Sequence, residues 1–294
     1  MRPLAEYSWR DWRLFRPATH GYKSMRYAAA RELYVRQPAR GGATDLGRRI
    51  AGQRVLVSIA FNDAEAIAMQ AEAMARFVPN ALYAIADNST DEDAASAIAA
   101  TAAKRALPYI RLPRHGWRKP EQASRAHGHA LNWVWRNVMR PGQPQAFGFL
   151  DHDLFPTAPD DPFAMLARQP VYGVLRASGS RWFLWAGFCL FRFDAVKNLP
   201  LDFAQAWFVG LDTGGGNWTA LYRRLDRDTL IFMPTRLEPF RPGADPVHDA
   251  IQWCGVWLHE VGQTQRAGRT EAAGDKRRAV KQLIAAPLNA SGAA

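Results

Sequence analysis

Two kinds of apolar pattern alternate along the chain between residues 54 and 150. Short runs of β-branched and other apolar residues predict β-strands, and longer stretches whose apolar residues recur at helical spacing predict helices. The strands predicted in this part of the chain cover residues 54–60, 82–86, 109–113 and 146–150. The helices predicted between them cover residues 62–77, the alanine-rich segment after residue 91, and residues 122–139.

This order of elements predicts the fold class. Strands that alternate with helices at this spacing form a mostly parallel sheet with helices on both faces. Ligands of such sheets bind beyond the carboxyl ends of the strands, which is where several polar clusters of this chain stand. After Pro159 the rhythm changes, and residues 171–175 and 182–193 predict strands of a mixed second half. We therefore expect an α/β fold.

Length and composition favour one large domain. The chain has 294 residues, 48% of them hydrophobic, which is enough for a sizeable core. Its two cysteines, Cys189 and Cys254, stand in apolar runs and do not indicate a disulfide framework or a cysteine-built zinc site. The longest apolar run, residues 182–191, is too short to span a bilayer, and charges interrupt the apolar stretches of the N-terminus. A cytoplasmic protein is therefore expected.

The net charge of +11 is confined to the two ends of the chain. Residues 1–50 hold eleven Lys and Arg against four Asp and Glu, residues 266–294 hold six against two, and the residues between hold 21 of each sign. We therefore predict a basic N-terminal extension (1–51), a main domain (52–265) and a basic C-terminal tail (266–294) with a short helix and a loose end. Because the main domain is neutral, nucleic acid is not an expected partner.

The basic N-terminal segment is also rich in aromatic residues. These are Trp9, Trp12, Phe15, Tyr22, Tyr27 and Tyr34. Basic and aromatic side chains together are typical of a segment that contacts an anionic membrane surface or an acidic polymer. Solvated helices packed on the domain have the same composition. The sequence leaves both interpretations open.

A pair of carboxylates follows the fourth predicted strand. In an extended segment the side chains of residues i and i+2 face the same side, so Asp151 and Asp153 converge. Paired oxygen ligands suit Mg²⁺ or Mn²⁺, with phosphate oxygens completing the coordination shell. The alternative is a turn whose Asp side chains bond the backbone.

Other short motifs stand in a recognisable order around this pair. Phe61-Asn62-Asp63 ends the first strand, Asp87 ends the second, residues 126–132 begin the helix before the fourth strand, and Gly187–Arg192 and Gly210-Leu211-Asp212 follow it. In this order the motifs resemble the family 2 type of GT-A glycosyltransferases, and the resemblance covers roughly residues 52–262. It identifies the main domain as a GT-A domain.

The resemblance implies roles for particular residues. Asp151, Asp153 and the late His259 would hold the metal, Mn²⁺ or Mg²⁺, and Asp212 would be the general base. Asp87 would contact the base or ribose of the nucleotide. Arg118 and Arg125 lie between the third and fourth strands, where they could meet phosphate. The residues expected to bind the nucleotide sugar are Phe61, Asn62, Asp87, Arg118, Arg125, Asn132 and Asp151.

The implied reaction is the inverting transfer of one sugar from a nucleoside diphosphate, with a UDP-sugar favoured, to an acceptor hydroxyl. The acceptor would be a glycan, a lipid-linked glycan or a protein, as in surface polysaccharide or glycan biosynthesis. The implied location is the cytoplasm, with peripheral contact to the inner membrane face through the basic ends of the chain.

The sequence departs from the family pattern at a few positions. Ala126 or His127 stands where the helix motif begins with Asn, His152 separates the two Asp residues, and Leu211 replaces the first acid of the usual pair. These departures leave the donor sugar and the identity of the base open.

Two other functions fit parts of the pattern. A metal-dependent hydrolase would use a mixed cluster of His127, His129, Asp151, Asp153 and His259, since imidazole-rich sites are typical of zinc or iron. His127 and His129 are, however, expected to point to different sides of a helix. A non-catalytic docking protein on the same fold is the second alternative.

Overall fold

The computed structural model describes residues 2–116, 122–240, 250–261 and 270–285. In these ranges the chain forms ten β-strands in two sheets. The strands are β1 (Arg54–Ala60), β2 (Leu82–Asp87), β3 (Tyr109–Arg111), β4 (Ala146–Asp151), β5 (Leu154–Pro156), β6 (Val171–Ser178), β7 (Arg181–Arg192), β8 (Thr235–Pro239), β9 (Ala250–Cys254) and β10 (Trp257–His259).

Helices fill most of the intervals between the strands. The α-helices of the described ranges are α1 (Trp9–Arg13), α2 (Arg16–Val35), α3 (Ala43–Arg49), α4 (Ala64–Phe77), α5 (Glu92–Lys104), α6 (Ala123–Val134), α7 (Arg140–Gly142), α8 (Phe193–Val196) and α9 (Thr270–Ala285). Short 3₁₀ turns cover Leu4–Glu6, Ala164–Ala167, Trp207–Val209, Gly215–Trp218, Tyr222–Arg224 and Arg227–Thr229. None of the helices within these ranges combines the length and apolar character needed to cross a bilayer.

The larger sheet has the strand order β3-β2-β1-β4-β7-β6. Strands β3, β2, β1 and β4 pair in parallel, whereas β7 pairs antiparallel with both β4 and β6. The smaller sheet has the order β5-β10-β9-β8 and is antiparallel throughout. The predicted α/β fold with a mostly parallel sheet is confirmed, and its mixed second half is the antiparallel part.

Both faces of β1 lie in apolar cores, because successive side chains of a strand point to opposite faces of the sheet. Val55 and Val57 pack in the core that also contains side chains of α6. Leu56 packs on the other face, in the core that contains side chains of α4 and α5. The helices therefore cover both faces and leave the carboxyl edge of the parallel strands for polar residues.

The end of the N-terminal segment packs into the main core. Tyr34, Val35, Leu46 and Ile50 are buried there together with side chains of β1 and β4. Helices packed on the domain, one of the two interpretations left open by the sequence, therefore describe residues 34–50. The domain boundary at residue 52 stays a prediction.

The helix predicted over 122–139 changes geometry within its length. Helix α6 ends at Val134, and Trp135–Met139 form a π-helical turn. The amide of Asn137 donates to the carbonyls of Trp133, at 3.1 Å, and Val35, at 3.0 Å. The wider turn thus accompanies side-chain bonds that tie this helix to the end of α2.

The C-terminal tail was predicted to hold a short helix and a loose end. Residues 270–285 form the helix α9, and the predicted loose end lies outside the described residues. Helix α9 docks on the domain through Lys276, Arg277 and Val280, which are all buried. The ammonium of Lys276 donates to the carbonyls of Ala250, at 2.6 Å, and Val261, at 2.5 Å. Two of the six basic residues of this tail, Lys276 and Arg277, are therefore used for internal bonds rather than for a solvated surface.

Candidate metal and donor site

The candidate site lies where the two sheets meet. Strand β4 ends at Asp151, and β5 of the smaller sheet begins three residues later at Leu154. Strand β10 runs antiparallel to β5 with His259 opposite Leu154, and the amide of Glu260 donates to the carbonyl of Asp153 at 2.9 Å. This register brings a histidine more than one hundred positions away in the sequence next to the Asp-His-Asp turn.

Asp151, Asp153 and His259 form a group that can hold one divalent ion. Their candidate ligand atoms all lie within 4.8 Å of one another, and the Nε2 atom of His259 is 3.4 Å from Oδ1 of Asp153. Two carboxylates and one imidazole suit a small divalent cation, and the imidazole favours a transition metal such as Mn²⁺ over Mg²⁺. The three residues predicted as metal ligands are thus brought together by the fold.

The two carboxylates differ in their electrostatic surroundings. Burial raises the pKa of Asp151 above its usual range. Burial acts in the same direction on Asp153, but the charge and hydrogen bond of His259 outweigh it and lower the pKa of Asp153 to about 2. Asp153 is therefore ionised at neutral pH, as a metal ligand must be.

A second layer of side chains orients His259. Its Nδ1 atom lies 3.2 Å from Oε1 of Gln252, which also accepts from the guanidinium of Arg176 at 3.3 Å. The ring of Trp185 lies 4.6 Å from the imidazole. With Nδ1 next to Gln252, the Nε2 atom faces Asp153 and is the nitrogen that would bind a metal once it has lost its proton.

Gln70 of α4 holds the Asp-His-Asp turn (151–153) by hydrogen bonds to its backbone. Its buried side-chain amide donates to the carbonyls of Asp151, at 2.8 Å, and Leu154, at 2.5 Å, and its Oε1 accepts from the hydroxyl of Tyr83 at 2.6 Å. We did not single out this residue from the sequence. The available signal was a glutamine on the apolar face of α4, three residues after Ile67.

A buried ion-pair network connects the site to α9. Arg277 pairs with Glu260 at 2.7 Å, with Asp63 at 2.8 Å and with Glu65 at 3.2 Å. Burial raises the pKa of Glu260 to about 6, although Arg277 counteracts the shift. Glu260 follows His259 directly, and Asp63 caps α4. By pairing with both carboxylates, Arg277 of α9 links the segment that carries His259 to the start of α4.

Asp87 is placed differently from the expectation that it contacts a nucleotide. Its side chain is fully buried. Its Oδ2 atom accepts from Arg111 at 2.6 Å and from the hydroxyl of Tyr109 at 2.7 Å, and its Oδ1 atom accepts from the amide of Ser89 at 2.9 Å. In this structure Asp87 therefore shapes the loop after β2, and direct contact with a base or ribose stays a prediction.

Phe61 and Asn62 directly follow β1 and make different contacts. The Oδ1 atom of Asn62 accepts from the amides of Thr90, at 2.9 Å, and Asp91, at 3.0 Å, so this side chain joins the ends of β1 and β2. Asn62 has a φ of 52°, a left-handed backbone that Asn adopts more readily than most residues. Phe61 is half-buried, and its ring stacks 6.5 Å from that of His115, next to the same loops.

Asn132 is buried beneath the site and bonded within the protein. Its side chain donates to Asp202 at 2.8 Å and accepts from the amide of Phe203 at 2.9 Å. Asp202 also pairs with Arg31 of α2. Asn132 therefore anchors the segment that leads towards Asp212, and its predicted contact with the nucleotide sugar stays a prediction.

Of the two arginines expected to bind phosphate, Arg125 lies within the described residues. Arg125 lies in the first turn of α6 with its guanidinium 4.2 Å from the ring centre of Tyr27, a cation–π contact with α2. Arg118 lies outside the described residues. Phosphate binding stays a prediction for both.

Asp212 is exposed in the loop before Gly214. Its Oδ1 atom accepts from the side-chain amide of Gln205 at 2.9 Å and from the amide of Thr213 at 2.8 Å. These bonds hold the carboxylate in a defined orientation on the protein surface, as a base that receives a proton from an incoming hydroxyl requires.

The two histidines of α6 face opposite sides, as their spacing predicts. The Nε2 atom of His127 lies 3.4 Å from Oδ1 of Asp151. The ring of His129 lies 5.9 Å from that of Tyr34, and burial lowers the pKa of His129 to about 4, so it is neutral. The five-residue cluster of the hydrolase hypothesis is therefore not formed, because His129 belongs to the core.

Comparison with known proteins finds distant structural likeness. The sequence matches no protein-family model, and no curated protein matches it. Solved structures that match include a mannosyltransferase from Pyrobaculum calidifontis in complex with GDP-Man and Mn²⁺, with 13% identity, a TM-score of 0.40, and coverage of 68% of this chain and 59% of that chain. Galactosyltransferase LgtC in complex with donor and acceptor sugar analogues matches with 12% identity, a TM-score of 0.38, and coverage of 56% and 70%. The chain thus spans less than two thirds of the mannosyltransferase.

We predict that replacing Gln70 by Leu weakens metal binding. The change leaves two carbonyls next to the metal ligands without donors, so Mn²⁺ affinity should fall about 10–100-fold, as for other outer-shell partners. Isothermal titration with Mn²⁺ measures this, and urea unfolding measures the accompanying loss of stability, about 1–3 kcal/mol for each unsatisfied group.

Gln169 offers a matched control for this change. It is also buried and donates to two carbonyls, those of Val171 and Ile231, each at 2.7 Å. Gln169→Leu should cost similar stability and leave Mn²⁺ affinity unchanged. Equal losses of Mn²⁺ affinity in the two variants would contradict a specific role for Gln70.

Proposed function

We propose that this protein is a metal-dependent, inverting glycosyltransferase of the GT-A type that uses a nucleoside diphosphate sugar. The observation that carries the proposal is the convergence of Asp151, Asp153 and His259 just beyond the carboxyl end of β4. In sheets of this kind ligands bind at that edge. Asp151, Asp153 and His259 would hold a divalent ion, and such an ion would also attract the phosphates of a nucleoside diphosphate.

A bound divalent ion would supply charge neutralisation to the departing nucleoside diphosphate. The protein's own part is to hold that ion on one side of the reaction and a carboxylate on the other. Asp212 is the proposed base that takes the proton of the acceptor hydroxyl. Its position in a polar, exposed loop fits a group that meets acceptors from solution or from a surface. If Asp212 acts from the side opposite the leaving group, the attack is in line and inverts the anomeric centre.

Mn²⁺ is the ion we favour, because His259 adds an imidazole to the two carboxylates. A UDP-sugar is the donor we favour, on the family 2 resemblance of the motifs. The acceptor is proposed to be a glycan or a lipid-linked glycan rather than nucleic acid, and the reaction to take place on the cytoplasmic side of the membrane.

We predict that one nucleoside diphosphate raises the melting temperature of the protein, and that this rise requires Mn²⁺. A ligand at about 100 times its Kd adds roughly 2.7 kcal/mol of stability. Thermal unfolding with UDP, GDP, CDP and dTDP, each with and without Mn²⁺, identifies the base. Asp153→Asn should abolish the shift because it removes an ionised ligand.

Asp194 provides the control for the loss of one carboxylate. It is exposed and pairs with Arg192 at 2.8 Å, so Asp194→Asn should retain the full shift. A nucleotide shift that is independent of Mn²⁺ would contradict the proposed site. Stabilisation by Zn²⁺ alone, without any response to nucleotides, would favour the metal-dependent hydrolase instead.

We predict that Asp212→Asn slows catalysis and leaves donor binding intact. Removing a general base lowers rates by about 10²–10⁴-fold. The measurement is the release of the nucleoside diphosphate from the donor sugar to water in the presence of Mn²⁺, next to the melting shift of the same variant. Asp226, another exposed Asp that accepts from a backbone amide, supplies the control Asp226→Asn. A variant with unchanged turnover would exclude Asp212 as the base.

A further inference from the structure

The first two helices are attached to the domain by one side. His20 of α2 stacks on Phe208 with ring centres 4.3 Å apart, and Arg31 pairs with Asp202. Tyr34 is buried in the core at the end of the same helix. These contacts recur at helical spacing and define the face of α2 that packs on the protein.

Large apolar side chains of α1, of the connection after it and of the outer side of α2 are exposed to solvent. We call this set the N-terminal apolar face, and its members are Trp9, Trp12, Leu14, Phe15, Tyr22, Met25 and Leu33. Within α2 the spacing of Tyr22, Met25 and Leu33 places them on one side of the helix. Trp9 is 73% exposed and Phe15 is 75% exposed, which is unusual for residues of this size.

The exposed charge between residues 9 and 26, around most of this face, has one sign. The basic side chains exposed between residues 9 and 26 are Arg10, Arg13, Arg16, Lys23 and Arg26. Asp11 is the sole acidic residue in that interval, and it is buried, where it accepts from Ser8 and pairs with Arg16 at 2.7 Å. Between residues 9 and 26 the surface of α1 and α2 therefore combines exposed aromatic residues with exposed positive charge.

Phe15 has a backbone conformation that bulky residues rarely adopt. It connects α1 and α2 with a φ of 51°, a left-handed backbone that is a clear outlier for a bulky residue. Glycine or asparagine would adopt this conformation at lower cost. An exposed aromatic ring at such a position is a sign that the ring itself is used outside the folded monomer.

We propose that the N-terminal apolar face docks onto the surface of a bilayer that contains anionic phospholipid, and that the acceptor is therefore a membrane-borne, lipid-linked glycan. Trp, Tyr, Phe and Leu on one side of a helix insert at the headgroup level, while Arg and Lys contact lipid phosphates. A second copy of this chain is a poorer occupant, because self-association would bring the positive charges of both copies together.

The same helices contact the loop that carries the proposed base. Phe208, which stacks on His20, lies four residues before Asp212, and the neighbouring Trp207 is 67% exposed. Docking of the N-terminal apolar face would therefore place this loop on the far side of α2, one helix diameter (~10 Å) from the lipid surface. The identity of the acceptor rests on the proposed transferase function, whereas the docking itself does not.

The experiment is co-sedimentation with vesicles of phosphatidylcholine alone and of phosphatidylcholine with phosphatidylglycerol. We expect binding to the anionic vesicles, weakened by salt, and little binding to the neutral ones. Arg10→Ser with Arg13→Ser should lower the partition coefficient about 30-fold, from the contribution of each basic residue near an anionic surface. Trp9→Ser with Trp12→Ser should lower it at least about tenfold.

Phe15→Gly separates docking from folding. Glycine adopts the left-handed backbone at this position without strain, so the melting temperature should stay the same or rise. Vesicle binding should fall because the aromatic ring is lost. Leu237→Ser removes an apolar residue of 62% exposure from β8 and should leave vesicle binding unchanged. All variants should keep the Mn²⁺-dependent nucleotide shift, which distinguishes a failure of docking from a failure of the proposed catalytic site.

Three results would overturn the proposal. The first is that the wild-type protein does not bind anionic vesicles. The second is that the Trp9/Trp12 double variant binds them as strongly as the wild-type protein does. The third is a stable dimer in light scattering that the same double variant converts to monomer, which would assign the face to a second copy.

Discussion

The pairing of β10 with β5 is the interaction on which the rest of the site depends. It places His259 opposite Leu154 and so beside Asp153, at the point where the chain leaves the parallel sheet for the antiparallel one. A shift of this register by one residue would turn the imidazole to the other face of the sheet, because side chains alternate along a strand. The hydrogen bond from the amide of Glu260 to the carbonyl of Asp153 extends the pairing past the end of the strand. The segments that carry the proposed metal ligands are thus aligned by backbone hydrogen bonds.

Two buried polar groups keep this junction in place from opposite sides. Gln70 bonds the carbonyls on either side of the Asp-His-Asp turn, and Arg277 joins the strand that carries His259 to the start of α4. Groups of this kind are costly to bury unless all their partners are present, so they specify one arrangement. The same helix, α4, contributes both Gln70 and the cap residue Asp63. Deleting α9 should therefore disturb the positions of His259 and α4, although no residue of α9 is a proposed metal ligand.

The sequence predicts those parts of the structure that depend on residues close together in the chain. Strand β1 and the helix after it follow from apolar spacing and an Asp cap, and the convergence of the two Asp residues follows from extended geometry. The second layer around His259 could not be predicted, since Gln252 and Arg176 reach it only through pairing between distant strands. The burial of Asp87 depends on a partner in the neighbouring strand β3, which a motif does not reveal.

Pulsed electron paramagnetic resonance of bound Mn²⁺ tests the central claim most directly. This method detects nuclei within a few bonds of the ion, so it reports the ligands themselves. We expect a ¹⁴N coupling from the imidazole of His259, which disappears in His259→Gln, and ³¹P couplings that appear when the stabilising nucleoside diphosphate is added. Tightly bound Mn²⁺ without the ¹⁴N coupling, or without ³¹P couplings in the presence of the nucleotide, would contradict a donor site built on Asp151, Asp153 and His259.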